Sequence, residues 1–436
     1  KRKNESLNLK FNLQEKLINE LPFELTKNQY KIINDINNYN NTQYRETVLL
    51  QGDVGSGKTI VSLLTAIPFI QKHKQVAYMA PTEILANQIY SNVLNHLDNE
   101  EVKPILLTGS TKNKSKIYEK IEKGIFNFII GTHAIFQENL NFSSLAYVII
   151  DEQHRFGVQQ RLYLAEKGIN TNILLMSATP IPRTLALAQY GEIEQVILKE
   201  KPAFQKPIIT KVSNIDKIKD IEILLKKKIS NVSQVYWICP LVEASETQKY
   251  KDVETRFKSL KNIFGSEVEM LHGKIKSDQK ERIIQNFQKG NIKILVATTV
   301  VEVGIDNKNA DYIVIENAEK FGLSQLHQLR GRVGRGNNQG YCFALYGKDL
   351  PDNTINRLKI FKENLDGFKL SEKDLEIRGT GDILGYRQSG DSLFKFVNVY
   401  HDKELIIDAL QYVKKLIEKK EYENEKFKKV TYIYLS

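Results

Sequence analysis

Short, wholly apolar runs recur along the chain, separated by stretches in which apolar residues return every three or four positions. Runs apolar on both faces suit parallel strands covered by helices on either side. In the first half they are Val48 to Leu50, Val76 to Met79, Phe128 to Ile130, Val148 to Ile150 and Ile173 to Met176. A second series follows the Pro202 to Pro207 segment: Val235 to Ile238, Ile294 to Ala297, Tyr312 to Ile315 and Tyr341 to Leu345, with helical spacing such as Ser277 to Gln288 between them. The alternation predicts an α/β chain with two tandem, doubly wound parallel-sheet lobes. Lys1 to Glu20, with Leu7, Leu9, Phe11, Leu13 and Leu17 among polar residues, reads as the remnant of a connecting helix. The expected divisions are 1–20, a first lobe over 21–203, a second lobe over 204–350 and a C-terminal appendage over 351–436.

The first series carries chemistry at its strand ends. Gly52-Asp53-Val54-Gly55-Ser56-Gly57-Lys58-Thr59 is a complete G-x-x-x-x-G-K-T loop between an apolar run and a helical pattern, the setting a phosphate loop requires. Its glycines (Gly52, Gly55, Gly57) let backbone N–H groups and a helix N-terminus face phosphates, Lys58 reaches the terminal ones, and the Thr59 hydroxyl can ligate Mg²⁺. The run Ala146 to Ile150 ends in Asp151-Glu152-Gln153-His154. Two carboxylates after an apolar run are ordinarily a solvated strand end. Beside a phosphate loop they divide the work of hydrolysis, Asp151 holding Mg²⁺ and Glu152 orienting or deprotonating the attacking water.

The second series has no such loop, so it is expected to complete a nucleotide site in a cleft between the lobes. Gln325-Leu326-His327-Gln328-Leu329-Arg330-Gly331-Arg332-Val333-Gly334-Arg335 sets guanidiniums among glycines, where they can approach a γ-phosphate closely; Arg332 and Arg335 are the arginine-finger candidates.

Composition adds limits. The 436 residues suffice for two large domains and an appendage, and a formal charge of +11 with pI near 9.2 suits a polyanionic partner without requiring one, since Lys and Asn are used heavily throughout. Runs such as Lys226-Lys227-Lys228 read as solvated helix faces. Cys239 and Cys342 lie far apart in apolar runs, which predicts buried reduced thiols and a cytoplasmic setting. No apolar run is long enough to span a bilayer, and the missing initiator Met predicts a fragment.

Taken in order, further motifs carry a resemblance. Leu25-Thr26-Lys27-Asn28-Gln29 resembles an adenine-contacting Q-type motif, Ala80-Pro81-Thr82-Glu83 and Gly131-Thr132-His133 resemble strand-tracking motifs, and Ser177-Ala178-Thr179-Pro180 resembles a coupling motif. With Thr298-Thr299-Val300-Val301-Glu302-Val303-Gly304-Ile305-Asp306 and Gln328 to Arg335 they stand in the order of a superfamily-two helicase motor, a pair of RecA-like lobes. Asp151 to Val158, Met176 to Thr184 and Trp237 to Glu243 are similar to the RecG family of branched-DNA helicases, with the transcription-repair coupling factor as the nearest relative. Gln153 favours RecG, because the coupling factor usually has a second Glu there. Asp374 to Gly390 resembles the translocation motif shared by both, in which a helical hairpin and loop couple lobe closure to movement along duplex DNA. Arg357, Arg378 and Gln388 match its key positions, whereas Thr380 stands where RecG usually has Pro.

The resemblance implies ATP and Mg²⁺ as cofactors, with cofactor contacts at Gln29 and Asp306 and a place for Gln328 in the catalytic set. It implies DNA contacts or coupling at Thr82, Thr132, His154, Ser177, Thr179 and Thr299, phosphodiester contacts that position without reading sequence. The implied partner is branched double-stranded DNA (stalled forks, Holliday junctions), with a single-stranded DNA-binding protein as a further partner, a monomeric state and a nucleoid-associated location. Full-length RecG carries an N-terminal wedge that engages the fork junction, and the motor motifs here begin almost at once, so weakened fork recognition is expected. Two other readings stay open: a transcription-repair translocase, and a DNA-binding scaffold whose ATPase has decayed, against which the intact Lys58, Asp151, Glu152, Arg332 and Arg335 argue.

Overall fold

The computed structural model describes residues 8–42, 44–152, 171–178, 193–200, 206–229, 233–240, 251–298, 307–336, 338–378 and, beyond these, 404, 405, 408, 409, 412 and 415. His154, Thr179, Thr299, Asp306 and Gln388 lie outside the described residues, and of Arg378 only the backbone is described.

Among the described residues the strands form two sheets in which every pairing is parallel. The first contains β1 (Thr47–Gly52), β2 (Gln75–Met79), β3 (Pro104–Leu107), β4 (Phe128–Gly131), β5 (Leu145–Ile150), β6 (Asn172–Ser177) and β7 (Glu194–Leu198), in the order β3-β4-β2-β5-β6-β1-β7. The second contains β8 (Ile209–Asn214), β9 (Gln234–Ile238), β10 (Val268–Leu271), β11 (Ile294–Ala297), β12 (Ala310–Ile315) and β13 (Tyr341–Tyr346), in the order β10-β11-β9-β12-β13-β8. These are the two doubly wound lobes that the apolar runs predict.

In the first lobe α1 (Asn12–Asn19) and α2 (Lys27–Asn40) precede β1, and the crossovers are α3 (Lys58–Gln71), α4 (Glu83–His96) and α5 (Lys114–Glu122); the second has α6 (Ile218–Lys228), α7 (Lys251–Phe264), α8 (Ser277–Gln288) and α9 (Leu323–Arg330). Helix α3 is buried from Val61 through Ile70, because it lies between the sheet and the layer of α1 and α2. Helices α10 (Asp352–Glu363) and α11 (Gly367–Arg378) follow the last strand.

Two expected boundaries fall inside cores. Leu9, Leu13 and Leu17 are buried in the same cluster as Val48, Leu64 and Phe69, and Gln14 Nε2 donates to the carbonyl of Leu64 at 2.8 Å. The α1 segment is thus part of the first lobe rather than a separate connecting helix. Likewise Leu358, Phe361 and Leu370 share one core with Leu326 and Leu329 of α9, so the break expected at residue 350 lies within the second lobe. By compactness the chain divides into Lys1–Pro180 with Glu194–Leu370, which holds both sheets, and Ile181–Ile193 with Ser371–Ser436.

Parallel pairing brings the carboxyl ends of the strands to one edge. Gln51 is in register with Ser177, and Leu175 with Ile150, which aligns the ends of β1, β6 and β5. Ligands of open α/β sheets bind along that edge. Both cysteines are buried and free, and among the described residues no helix is long and apolar enough to cross a membrane.

Candidate active site

Between β1 and α3 the chain turns through Gly55 at φ +82° and Gly57 at φ +88°, left-handed conformations that glycine alone adopts without strain. A Cβ on Gly57 would also stand 2.3 Å from Gln29 Nε2. The ammonium of Lys58 folds back over the loop, donating to the carbonyls of Gly52 at 2.7 Å and Asp53 at 2.9 Å. Gln29 braces this loop from the side. Its backbone N–H donates to Thr26 Oγ1 at 3.1 Å, its Oε1 accepts from Thr26 N at 2.9 Å, and its Nε2 donates to the carbonyl of Ser56 at 2.9 Å. The first two bonds are a capping box at the start of α2; the third ties that helix to the phosphate loop.

At the end of β5, Asp151 is buried and accepts from the N–H of Glu152 at 2.9 Å and from the Tyr78 hydroxyl at 3.5 Å. Burial, reinforced by the Glu152 carboxylate, pushes the Asp151 carboxyl up to about 7 against the opposing pull of Lys58. Burial in turn lowers the Lys58 ammonium, while Glu152, Asp151 and Asp53 hold it up. Glu152 has φ +49°, a conformation that costs a non-glycine residue about 1 kcal/mol or more and that clusters at functional sites.

The two lobes meet on these groups. A cavity of about 370 Å³ is lined by Gly55, Gly57, Lys58, Thr59, Asp151 and Glu152 from the first lobe and by Lys308, Arg332 and Arg335 from the second. Arg335 is steadied by its own loop, Nε donating to the carbonyl of Gly331 at 3.1 Å. The six sequence candidates Lys58, Thr59, Asp151, Glu152, Arg332 and Arg335 therefore share one cavity, although they come from three separate segments. The donor set suits Mg²⁺ and a triphosphate: a hydroxyl and a buried carboxylate are hard oxygen ligands, and the cations Lys58, Lys308, Arg332 and Arg335 line the same space. Ser56 Oγ, in the same loop, is buried without a hydrogen-bond partner.

Other candidates lie elsewhere. Gln29 and Gln328 are buried and do not line the cavity; the first is spent on the loop, the second sits within α9. Gly52 ends β1 behind Ser56. Thr82 caps α4, its hydroxyl accepting from Leu85 N at 3.3 Å. Thr132 is buried just after β4, and Ser177 is buried at the end of β6, one residue before the cavity-lining Ala178. Arg357 on α10 donates to the carbonyls of Glu319 and Phe321, the latter at 3.2 Å, tying α10 to the segment that leads into α9.

Sequence reading passed over four groups that the structure brings to the site. Tyr78 is hidden in an apolar run, and Lys308 follows the second-lobe motif without a pattern of its own. Asp53 occupies a variable position of the phosphate loop, and its carboxylate pairs with His327 of α9. The short spacing of His327 from Arg330 on one helix was the only local sign that it faces the same direction.

The chain is similar to known proteins along most of its length. Residues 26–188 match the family model described as DEAD/DEAH box helicase, and residues 215–337 match the helicase conserved C-terminal domain. The chain is 47% identical over 409 residues to the ATP-dependent DNA helicase RecG of Borreliella burgdorferi, covering 92% of this chain and 59% of that protein. Against the RecG of Haemophilus influenzae it is 42% identical over 421 residues, covering 95% and 61%. Among solved structures, RecG bound to a three-way DNA junction superposes with a TM-score of 0.75 at 38% identity, covering 92% of this chain and 52% of that one. Mss116p bound to single-stranded RNA and AMP-PNP, at 21% identity and a TM-score of 0.64, shares the fold. The chain spans about three-fifths of the length of these curated relatives, 59% and 61%. With both helicase domains meeting on one cavity, and identity above 40% to these relatives across more than nine-tenths of its length, the chain belongs to the RecG family of helicases.

Proposed function

We propose that this chain is the motor of an ATP-dependent translocase and helicase that acts on branched double-stranded DNA, stalled replication forks and Holliday junctions, in recombination and repair. The observation that carries the reading is the single cavity to which the first lobe gives Lys58, Thr59, Asp151 and Glu152 and the second gives Arg332 and Arg335. Bound ATP with Mg²⁺ supplies the γ-phosphoryl group whose transfer to water releases the energy for movement. Lys58 exchanges its bonds to the carbonyls of Gly52 and Asp53 for the terminal phosphates. Thr59 and Asp151 would hold Mg²⁺, which would offset the phosphate charge, while Glu152 orients the water and accepts its proton. Arg332 and Arg335 neutralise the charge that develops on the transferred group, from a lobe that must close to do so. DNA is held by its backbone along the first-lobe segments near Thr82 and Thr132, without reading sequence. RecG in complex with a three-way junction supports the choice of branched DNA. A monomer at the nucleoid, assisted by a single-stranded DNA-binding protein, is the setting this reading favours.

The test is ATP hydrolysis by this chain alone, with duplex DNA and with forked DNA, beside Glu152→Gln. The expected result is hydrolysis stimulated by DNA and lost in the variant; a further gain with forks would mean that the motor itself senses the junction. Hydrolysis no faster than that of Glu152→Gln under all conditions overturns the motor reading.

A further inference from the structure

Strand β2 is buried at every position, and at Tyr78 it carries a hydroxyl into the interior. A buried hydroxyl costs free energy unless it finds a partner, so an aliphatic residue would serve packing alone at less cost. The partner here is Asp151. Parallel pairing sets Tyr78 beside Ile149 and Met79 beside Ile150, so the Tyr78 side chain shares a face with Ile149 and, two positions on, with Asp151. The Tyr78 hydroxyl donates to Asp151 Oδ2 at 3.5 Å, and Asp151 Oδ1 accepts from Glu152 N at 2.9 Å. The backbone N–H of Asp151 donates to the carbonyl of Met79 at 2.9 Å. Strand β2 therefore holds Asp151 by its backbone and by its carboxylate, and each carboxylate oxygen has a donor.

The same hydroxyl neighbours that of Ser62 on α3, which donates to the carbonyl of Thr59 at 2.8 Å. Burial first, and then the Asp151 charge, hold the Tyr78 hydroxyl well above its ordinary pKa, so it keeps its proton and stands as a donor. Tyr78 thus lies between the first turns of α3, which carry Thr59, and the end of β5, which leads into Asp151. Those are the two segments whose oxygens suit Mg²⁺. Tyr78 itself does not line the cavity.

We propose that Tyr78 is a positioning residue for the divalent cation: from behind the cavity its hydroxyl fixes the Asp151 carboxylate relative to α3 and so sets the affinity of the nucleotide site for Mg²⁺. It acts through Asp151 and touches neither metal nor nucleotide. This deepens the nucleotide-site reading above and rests on it. Groups that orient a metal ligand from behind are worth about 10- to 100-fold in metal affinity. At 3.5 Å the bond is longer than an ordinary O–H···O bond, which places the expected effect at the lower end, about tenfold.

The experiment is calorimetric binding of a non-hydrolysable ATP analogue across a Mg²⁺ titration, for the unaltered chain, Tyr78→Phe, Asp151→Asn and the double variant. Tyr78→Phe keeps the ring and removes only the hydroxyl. It is expected to need about tenfold more Mg²⁺ for half-maximal enhancement of analogue binding, with the affinity in EDTA unchanged. In Asp151→Asn the same substitution leaves the Mg²⁺ dependence where it was, because the two residues act as one unit. A purely structural role would instead lower the melting temperature and weaken the analogue equally with and without Mg²⁺. The proposal is overturned if Tyr78→Phe responds to Mg²⁺ as the unaltered chain does, if its loss of affinity is as large in EDTA, or if its effect persists undiminished in Asp151→Asn. If the unaltered chain does not bind the analogue, or binds it without regard to Mg²⁺, the nucleotide-site reading falls and takes the role of Tyr78 with it.

Discussion

A Cβ placed on Gly331 would stand 2.7 Å from the Cβ of Val54, so the arginine segment of the second lobe touches the phosphate loop of the first at a distance that only glycine permits. The backbone of Gly331 is ordinary, with φ −68°, so alanine fits its conformation and fails only on contact. In Gly331→Ala the lobes are held apart by a fraction of an ångström. We expect DNA-stimulated ATP turnover to fall by about tenfold or more, given that small misplacements at a reacting centre cost up to about a hundredfold. Turnover equal to that of the unaltered chain would show that this approach does not matter to hydrolysis.

Removing either cavity guanidinium tests the second lobe's chemical share. Arg332→Ala and Arg335→Ala each leave the first-lobe loop intact, so the KM for ATP should change little while kcat drops by about 10³ or more, the usual worth of an arginine finger. A rise in KM with kcat preserved in both variants would assign these residues to binding alone.

Asp151 makes stability depend on pH in a defined direction. Its carboxyl is held at about 7 in the fold against an ordinary value of 3.8, so between those values the native state keeps a proton that the unfolded chain has lost. Stability from this group is therefore greatest below about 4 and declines as pH rises towards 7, then levels off. In EDTA without nucleotide, Asp151→Asn should become more stable than the unaltered chain as pH is raised from 4.5 to 7.5. A melting-temperature difference that stays constant across this interval contradicts the shift.

Gln29 has two separable tasks. Gln29→Glu keeps the acceptor for Thr26 N but loses the donor to the Ser56 carbonyl, whereas Gln29→Ala loses both. We expect Gln29→Glu to weaken nucleotide binding with little change in melting temperature, and Gln29→Ala to cost about 1 kcal/mol of stability besides. Equal nucleotide affinity in all three proteins, measured by calorimetry, would remove Gln29 from the loop's support.

Every chemical group that lines the cavity and was named from the sequence belongs to a short motif: Lys58 and Thr59 to the phosphate loop, Asp151 and Glu152 to a strand end, Arg332 and Arg335 to the glycine-rich segment. Such motifs are legible because spacing along the chain fixes the chemistry locally. The contact of Asp53 with His327 was not, since 274 positions separate them and neither residue stands in a pattern that announces the other.

The strands divide in the same way. All nine apolar runs read from the chain are interior strands, covered on both faces and flanked on both sides, and most are buried throughout. The four strands that escaped notice, β3, β7, β8 and β10, are the four sheet edges, where half-covered positions dilute the apolar pattern. The sequence by itself thus determined two parallel-sheet lobes and the chemistry at their strand ends, because complete burial and phosphate-loop geometry each demand particular residues at particular spacings. Only the tertiary structure decided where the sheets stop, that α1 and α10 join the lobes' cores, and that the second lobe also touches the loop through His327 and Gly331. Those outcomes depend on which surfaces meet across hundreds of residues, and local pattern carries no information about that.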